Sequence, residues 1–184
     1  MLAGMLTRKP VRLNETSDQI REHLFDVDLQ GNDLNVWTYE TTRKMVRYGH
    51  VGVLVDAPKS NQGGRPYWVT YTPRDILGFR TEVIEGVVKF TQLRLQEKVS
   101  VPDGLYGEKI VDQIRFLQRG SFEIYQKGKN NKFVKVDEGT TSLAEIPFSV
   151  AYSNRFNLLE SRPPMADIAE LNLKAYQIQS DLDN

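Results

Sequence analysis

Apolar residues recur along this chain in two rhythms, and the switches between them mark out its elements. Leu2, Met5 and Leu6 keep helical spacing until Pro10, which closes the run because proline lacks an N–H to continue the ladder. Asn14 to Gln30 is polar with Ile20, Leu24 and Phe25 as its apolar side, which predicts a short helix ending near Val27. Asn32 or Asp33 can accept hydrogen bonds from the free N–H groups of a second helix, in which Leu34, Trp37, Thr41, Met45 and Tyr48 recur every three to four residues. Gly49 stops that helix.

After Gly49 the period shortens. Val51, Val53, Leu54 and Val55 form a β-branched run ending at Pro58, as a buried strand does. Ser60, Asn61, Gln62, Gly63 and Gly64 form a turn-prone loop, and Tyr67, Trp68, Val69, Thr70 and Tyr71 read as the returning strand. Pro73, Arg74 and Asp75 open a turn. Strands are predicted over Val83–Val88, Phe90–Leu95, Ile110–Gln118, Phe122–Gln126 and Phe133–Val136, with turns at Arg119–Ser121 and Gly128–Asn131. A last strand spans Ile146–Tyr152, with Pro147 marking a strand end or an edge.

The rhythm then returns to helical. From Pro163 and Pro164, which suit a first turn, Ile168, Leu171, Ala175, Ile178 and Leu182 step by three and four along one face. No glycine stop follows in Ser180–Asn184, and no cap precedes Leu2, so both ends read as cut within helices of a longer chain. The pattern implies an α+β fold in which helices pack on antiparallel or mixed sheets with β-hairpins, ending in a long amphipathic helix. Its length suits a single domain over residues 1–184: mainly helical in 1–50, β-rich in 51–152 and helical again in 163–184.

Composition narrows the chemistry. Cysteine is absent, which removes disulfide and thiolate readings. Apolar runs fall short of the roughly 20 residues that span a bilayer, so no membrane partner is expected. The 24 Lys and Arg balance 24 Asp and Glu, against a surface built for tight nonspecific phosphate binding. A channel that lets a duplex slide would itself avoid a dense basic lining.

The candidate sites are few. His23 and His50 lack the spacing of a metal pair and read as structural. Asp56, Asp75 and Asp112 would serve a magnesium-dependent phosphodiesterase if they met in one cleft, although Asp56 and Asp75 also suit turns. Gly63 and Gly64 before Arg65 lack the Gly-Lys-Ser/Thr of a phosphate cradle, and Gly49 and Gly52 are too few for a dinucleotide fingerprint. Tyr67, Trp68 and Tyr71 with Arg65, Arg74 and Arg80 nearby would make a nucleic-acid-binding sheet if exposed, and core if buried. No catalytic, cofactor or metal residue is therefore assigned.

Two groups of residues in order carry a resemblance. The first is Tyr48-Gly49, Val51–Asp56 with Gly52, Pro58, Arg65-Pro66-Tyr67 and Tyr71. The second is Ile146-Pro147-Phe148, then Pro163-Pro164, Asp167, Ala169, Leu171-Asn172-Leu173, Tyr176, Ser180-Asp181 and Asn184. Together they resemble the wing segment of tailed-bacteriophage portal proteins, most of all a portal-like phage family first described as a domain of unknown function. The stem, clip and crown parts of such portals have no counterpart here. The resemblance implies a structural, non-enzymatic subunit of a homo-oligomeric ring of twelve at the capsid vertex of the virion, assembled in the host cytoplasm. Its implied partners are other copies, the major capsid protein, terminase, head–tail adaptor proteins and double-stranded DNA passing without sequence specificity. Such a ring needs side-to-side contacts, for which Asp167, Glu170, Lys174 and Gln177, on the polar side of the last helix, are candidates; a solvated face is the plainer reading.

Overall fold

The computed structural model describes residues 2–13, 17–58, 64–128 and 130–182. Where length suggests one domain, contacts divide the chain into two compact units: Met1–Pro73 with Ser149–Asn184, and Arg74–Phe148. The division follows from strand pairing, because the strands between residues 76 and 140 pair only among themselves.

The first unit begins with helices α1 (Leu2–Leu6), α2 (Asp18–Leu24) and α3 (Leu34–Tyr48). Ser17 caps α2 by accepting from Ile20 N–H, and Asp33 Oδ1 caps α3 by accepting from Val36 N–H at 2.8 Å. Each cap satisfies a donor that the first turn leaves free. Helix α2 is the short helix expected in this segment and ends at Leu24, three residues before Val27; residues 14–16 lie outside the described residues. Phe25, expected on its apolar side, is exposed at its C-cap, and Val27 is the residue buried beyond it. Val27 is held by the backbone, its N–H donating to Asn32 O and its carbonyl accepting from Trp68 N–H.

Gly49 ends α3 with φ at 91°, in the left-handed region. A Cβ there would collide with Ser161 Oγ and crowd the Arg162 and Pro163 backbone. Strand β1 (His50–Asp56) follows and pairs antiparallel with β2 (Tyr67–Tyr71), Gly52 opposite Tyr71 and Asp56 opposite Tyr67. Val51 and Leu54 of β1, Val46 of α3 and Tyr71 of β2 form the buried core. Full burial stabilises each large aliphatic side chain by about 1.5–3 kcal/mol. Ser60 to Gly63 of the expected loop lie outside the described residues.

The second unit is an antiparallel meander of β3 (Ile76–Ile84), β4 (Val87–Asp103), β5 (Gly107–Gln118), β6 (Ser121–Lys127) and β7 (Phe133–Thr140). The predicted strand Val83–Val88 is corrected: Glu85 and Gly86, both at positive φ, turn the chain between β3 and β4. Two consecutive positive φ values match the twist of flanking strands, so a two-residue hairpin forms there. Leu93 and Leu95 of β4 are fully buried, with Ile146 and Phe148 also in the core. Phe90 meets both Phe79 and Phe148 edge to face.

The chain returns to the first unit through β8 (Phe148–Tyr152), which lies on the other side of β1 from β2 in a three-stranded antiparallel sheet. A short pair, β9 (Arg155–Asn157) and β10 (Glu160–Ser161), leads to helix α4 (Ala166–Leu182). The architecture is α+β as expected, with every sheet antiparallel.

Candidate functional site

Neither histidine is placed for chemistry. His23 Nδ1 accepts from Arg65 Nη1 at 2.8 Å, while Arg65 also bonds the Asp26 carbonyl and lies 3.1 Å from Asp26 Oδ2. Burial, with the Arg65 charge beside it, holds the His23 pKa below its ordinary value, outweighing Asp26. His50 is buried, its Nδ1 2.7 Å from Ser161 Oγ, and burial lowers its pKa. Both imidazoles serve as neutral hydrogen-bonding parts of the fold.

The three aspartates stand in separate settings. Asp56 accepts from the Tyr67 hydroxyl at 3.0 Å and from Ala57 N–H. The Asp75 carbonyl accepts from Gln96 N–H, and Asp112 lies 3.8 Å from Lys127 Nζ. Among the described residues no group of three or more histidines and carboxylates is placed to hold a metal. Arg65, the cation of the imagined phosphate loop, is engaged by Asp26 and His23; Gly63 lies outside the described residues.

The aromatic strand faces its own chain. Trp68 packs edge to face against Trp37 at 4.8 Å and His23 at 5.3 Å, and Tyr71 is buried. Lys44 Nζ donates to Thr70 Oγ1. Trp68 is thus engaged by its own chain and Tyr71 is buried, while Tyr67 is half-buried with its hydroxyl on Asp56, so the residues read as packing rather than as a stacking platform. Arg74 and Arg80 belong to the other unit.

Two accessible elements carry large apolar side chains. Helix α4 is exposed on every side from Asp167 to Asp181. Its stripe of Ile168, Leu171, Ala175 and Ile178 is therefore exposed, with no burying partner among the described residues; the Leu182 side chain lies outside them. Leu171 is 66% exposed, and Tyr176, on another side, 72%. Of the four polar candidates, Asp167 is ion-paired with Arg162, and Glu170 lies 3.9 Å from it. Lys174 and Gln177 are exposed along the same helix.

A second accessible feature was not predicted as an element, because Glu97 interrupts the alternation of Leu93, Leu95, Val99 and Val101 and Pro102 follows. Strand β3 pairs with β4 only up to Leu95, and β6 with β5 only from Gln113, while β4 and β5 pair with each other on to Asp103 and Gly107. The pairs from Lys98–Asp112 to Asp103–Gly107 thus form a bare two-stranded arm, roughly 20 Å long at the usual rise per residue. Pro102, opposite Glu108, suits this stretch because β4 is an edge strand there. At the arm's base Arg115 Nε donates to Glu97 Oε1 at 2.9 Å, Gln113 Nε2 to Glu97 Oε2, and Gln126 Nε2 to Gln113 Oε1. This half-buried network ties three strands together. At the tip Leu105 is 85% and Tyr106 96% exposed, between Asp103 and Glu108. The signal for this turn was Pro102-Asp103-Gly104, with Gly104 at positive φ.

The first unit also holds an open groove of about 510 Å³ where α1, α3 and the start of α4 meet. Ala3, Val46, Met165 and Ala169 line it, with Tyr39, Arg43 and Arg47 along one wall. Arg43 pairs with Glu40 in an exposed contact at 2.8 Å, and Arg47 lies over the Tyr48 ring. No helix among the described residues is long and apolar enough to cross a membrane.

Of the residues that carry the portal resemblance, Tyr48 to Tyr71 and the described ones from Pro163 onward lie in this unit, and Ile146 to Phe148 in the other. Gly49 O accepts from both Ser153 N–H and Ser153 Oγ, and the Gly49 Cα packs against Ser161 to Pro163. No protein-family model and no curated protein matches the chain.

Proposed function

We propose that this chain is a wing segment of a phage portal subunit, a structural part of a ring at the capsid vertex through which DNA is packaged and ejected. One observation supports the reading beyond the sequence resemblance: two ordered elements, α4 and the β4–β5 arm, each hold large apolar side chains in solvent, Leu171, Tyr176 and Ile178 on the one and Leu105 and Tyr106 on the other. Apolar surface held out on ordered elements is the surface of a subunit that completes its packing in an assembly. The close approach of Pro163, from the second group, to Gly49, from the first, supports it as well.

In this reading the partners are neighbouring copies, the major capsid protein, terminase and head–tail adaptors, and duplex DNA passes without base contacts. The chain's charge balance agrees with a conduit that must not grip phosphates. A metal-dependent nuclease would need a donor cluster that the described residues do not form, and a base-stacking sheet would need Trp68 and Tyr71 free of their own packing.

The test is particle mass and symmetry, from light scattering and electron-microscope class averages of the protein expressed from its complete reading frame. Closed rings with a central hole, about a dozen subunits round, are expected. A monodisperse monomer at high concentration contradicts the proposal.

A further inference from the structure

We infer that the tip of the β4–β5 arm plugs into the α1–α3–α4 groove of a second copy, a head-to-tail contact that rests on the ring reading and names the surfaces that would build it. A two-stranded ribbon without a third strand or a packed face is marginal in water. This one nevertheless ends in Leu105 and Tyr106, two of the most exposed apolar side chains of the chain. The groove is its complement: open, apolar at Val46, Met165 and Ala169, and, at about 510 Å³, roomy enough for two large side chains.

Charge selects the occupant. Two carboxylates, Asp103 and Glu108, flank the apolar tip, and two guanidiniums, Arg43 and Arg47, stand on the groove wall. The present partners of these groups are surface contacts: Lys109 lies 3.4 Å from Asp103, Ser100 donates to Glu108, and Glu40 holds Arg43. Exposed pairs of this kind are worth little and exchange readily. An anionic rim around an apolar tip matches a cationic wall beside an apolar floor, and a second copy supplies each in equal number. Because tip and groove are different surfaces, the contact is heterologous, and a heterologous contact closes into a ring when its rotation divides the circle.

The absence of cysteine makes a direct test available. Two single-cysteine proteins, Tyr106→Cys and Ala169→Cys, are mixed under mild oxidation and run on a non-reducing gel. The expected product is a mixed disulfide dimer exceeding either homodimer; homodimers alone, or no dimer, overturn the contact. In parallel, Leu105→Ser with Tyr106→Ser is made as a tip variant, and Arg43→Glu with Arg47→Glu as a groove variant. Each is expected to raise the concentration at half-assembly by about tenfold or more. Mixing the two should restore pairs that stop at the dimer, since each pair keeps one intact tip and one intact groove. Circular dichroism confirms folding, which these exposed positions should not disturb. If rings form and both variants assemble like the unmodified protein, the contact is wrong and the ring reading stands. If the unmodified protein never assembles and no mixed disulfide forms, both fail.

Discussion

Helices α3 and α4 are alike in length, 15 and 17 residues, and in apolar spacing, yet they end in opposite situations. Helix α3 is capped by Asp33 and stopped by Gly49, buries Thr41 and Val46, and lays Trp37 on Trp68. Helix α4 leaves its stripe in solvent. Periodicity therefore reports which face of a helix is apolar; whether that face is covered depends on what the rest of the chain brings to it. Strand β1, immediately after α3, brings Val51 and Leu54 into the same core, whereas β9 and β10 before α4 form only a short exposed pair.

The sharpest way to break this contrast is by truncation. Leu54→Ala, in the core beside β2, should cost about 2–5 kcal/mol in urea unfolding. A loss under about 1 kcal/mol would mean that the β1 core is far looser than its burial implies. Gly49→Ala comes next, at about 1–3 kcal/mol, since alanine must accept a positive φ while its Cβ meets Ser161 and the Arg162 backbone. Removing the α3 cap with Asp33→Ala should cost about 1 kcal/mol by the same assay.

Much of this was legible. Asp33, Gly49, the β1 and β2 strands and the Arg119–Gly120 turn follow from capping and turn chemistry, which acts over a few residues. The β3–β4 hairpin was misplaced because Val83, Val87 and Val88 read as one apolar run across Glu85–Gly86. Of the candidate surfaces, α4 was visible as an element but not as a free one. The arm was missed because Glu97 breaks the alternation of Leu93, Leu95, Val99 and Val101, although Pro102-Asp103-Gly104 marks its turn.

A smaller effect is expected from pH. His23 and His50 both have pKa values lowered in the folded chain, so the unfolded chain takes up protons first as pH falls below about 6.5. Their contribution to stability is complete above that pH and declines below it until the folded-state imidazoles protonate too. Replacing both with Asn should flatten the dependence of the thermal midpoint on pH between about 7 and 5 relative to the unmodified protein. An unchanged slope would assign it to other groups.

The smallest effect belongs to the other helix. Leu171→Ala should change monomer stability by less than about 0.5 kcal/mol, because the side chain is already in water. A loss comparable to that of Leu54→Ala would show that α4 is covered within its own chain.

The most direct measurement is hydrogen exchange on the protein at concentrations below and above assembly. Amides of 98–112 in the arm and 167–181 in α4 are predicted to gain protection in the assembled fraction, while those of β1 stay as they are. Assembled particles in which the arm and α4 exchange as fast as in the dilute protein would contradict the claim that these projecting apolar elements are assembly surfaces.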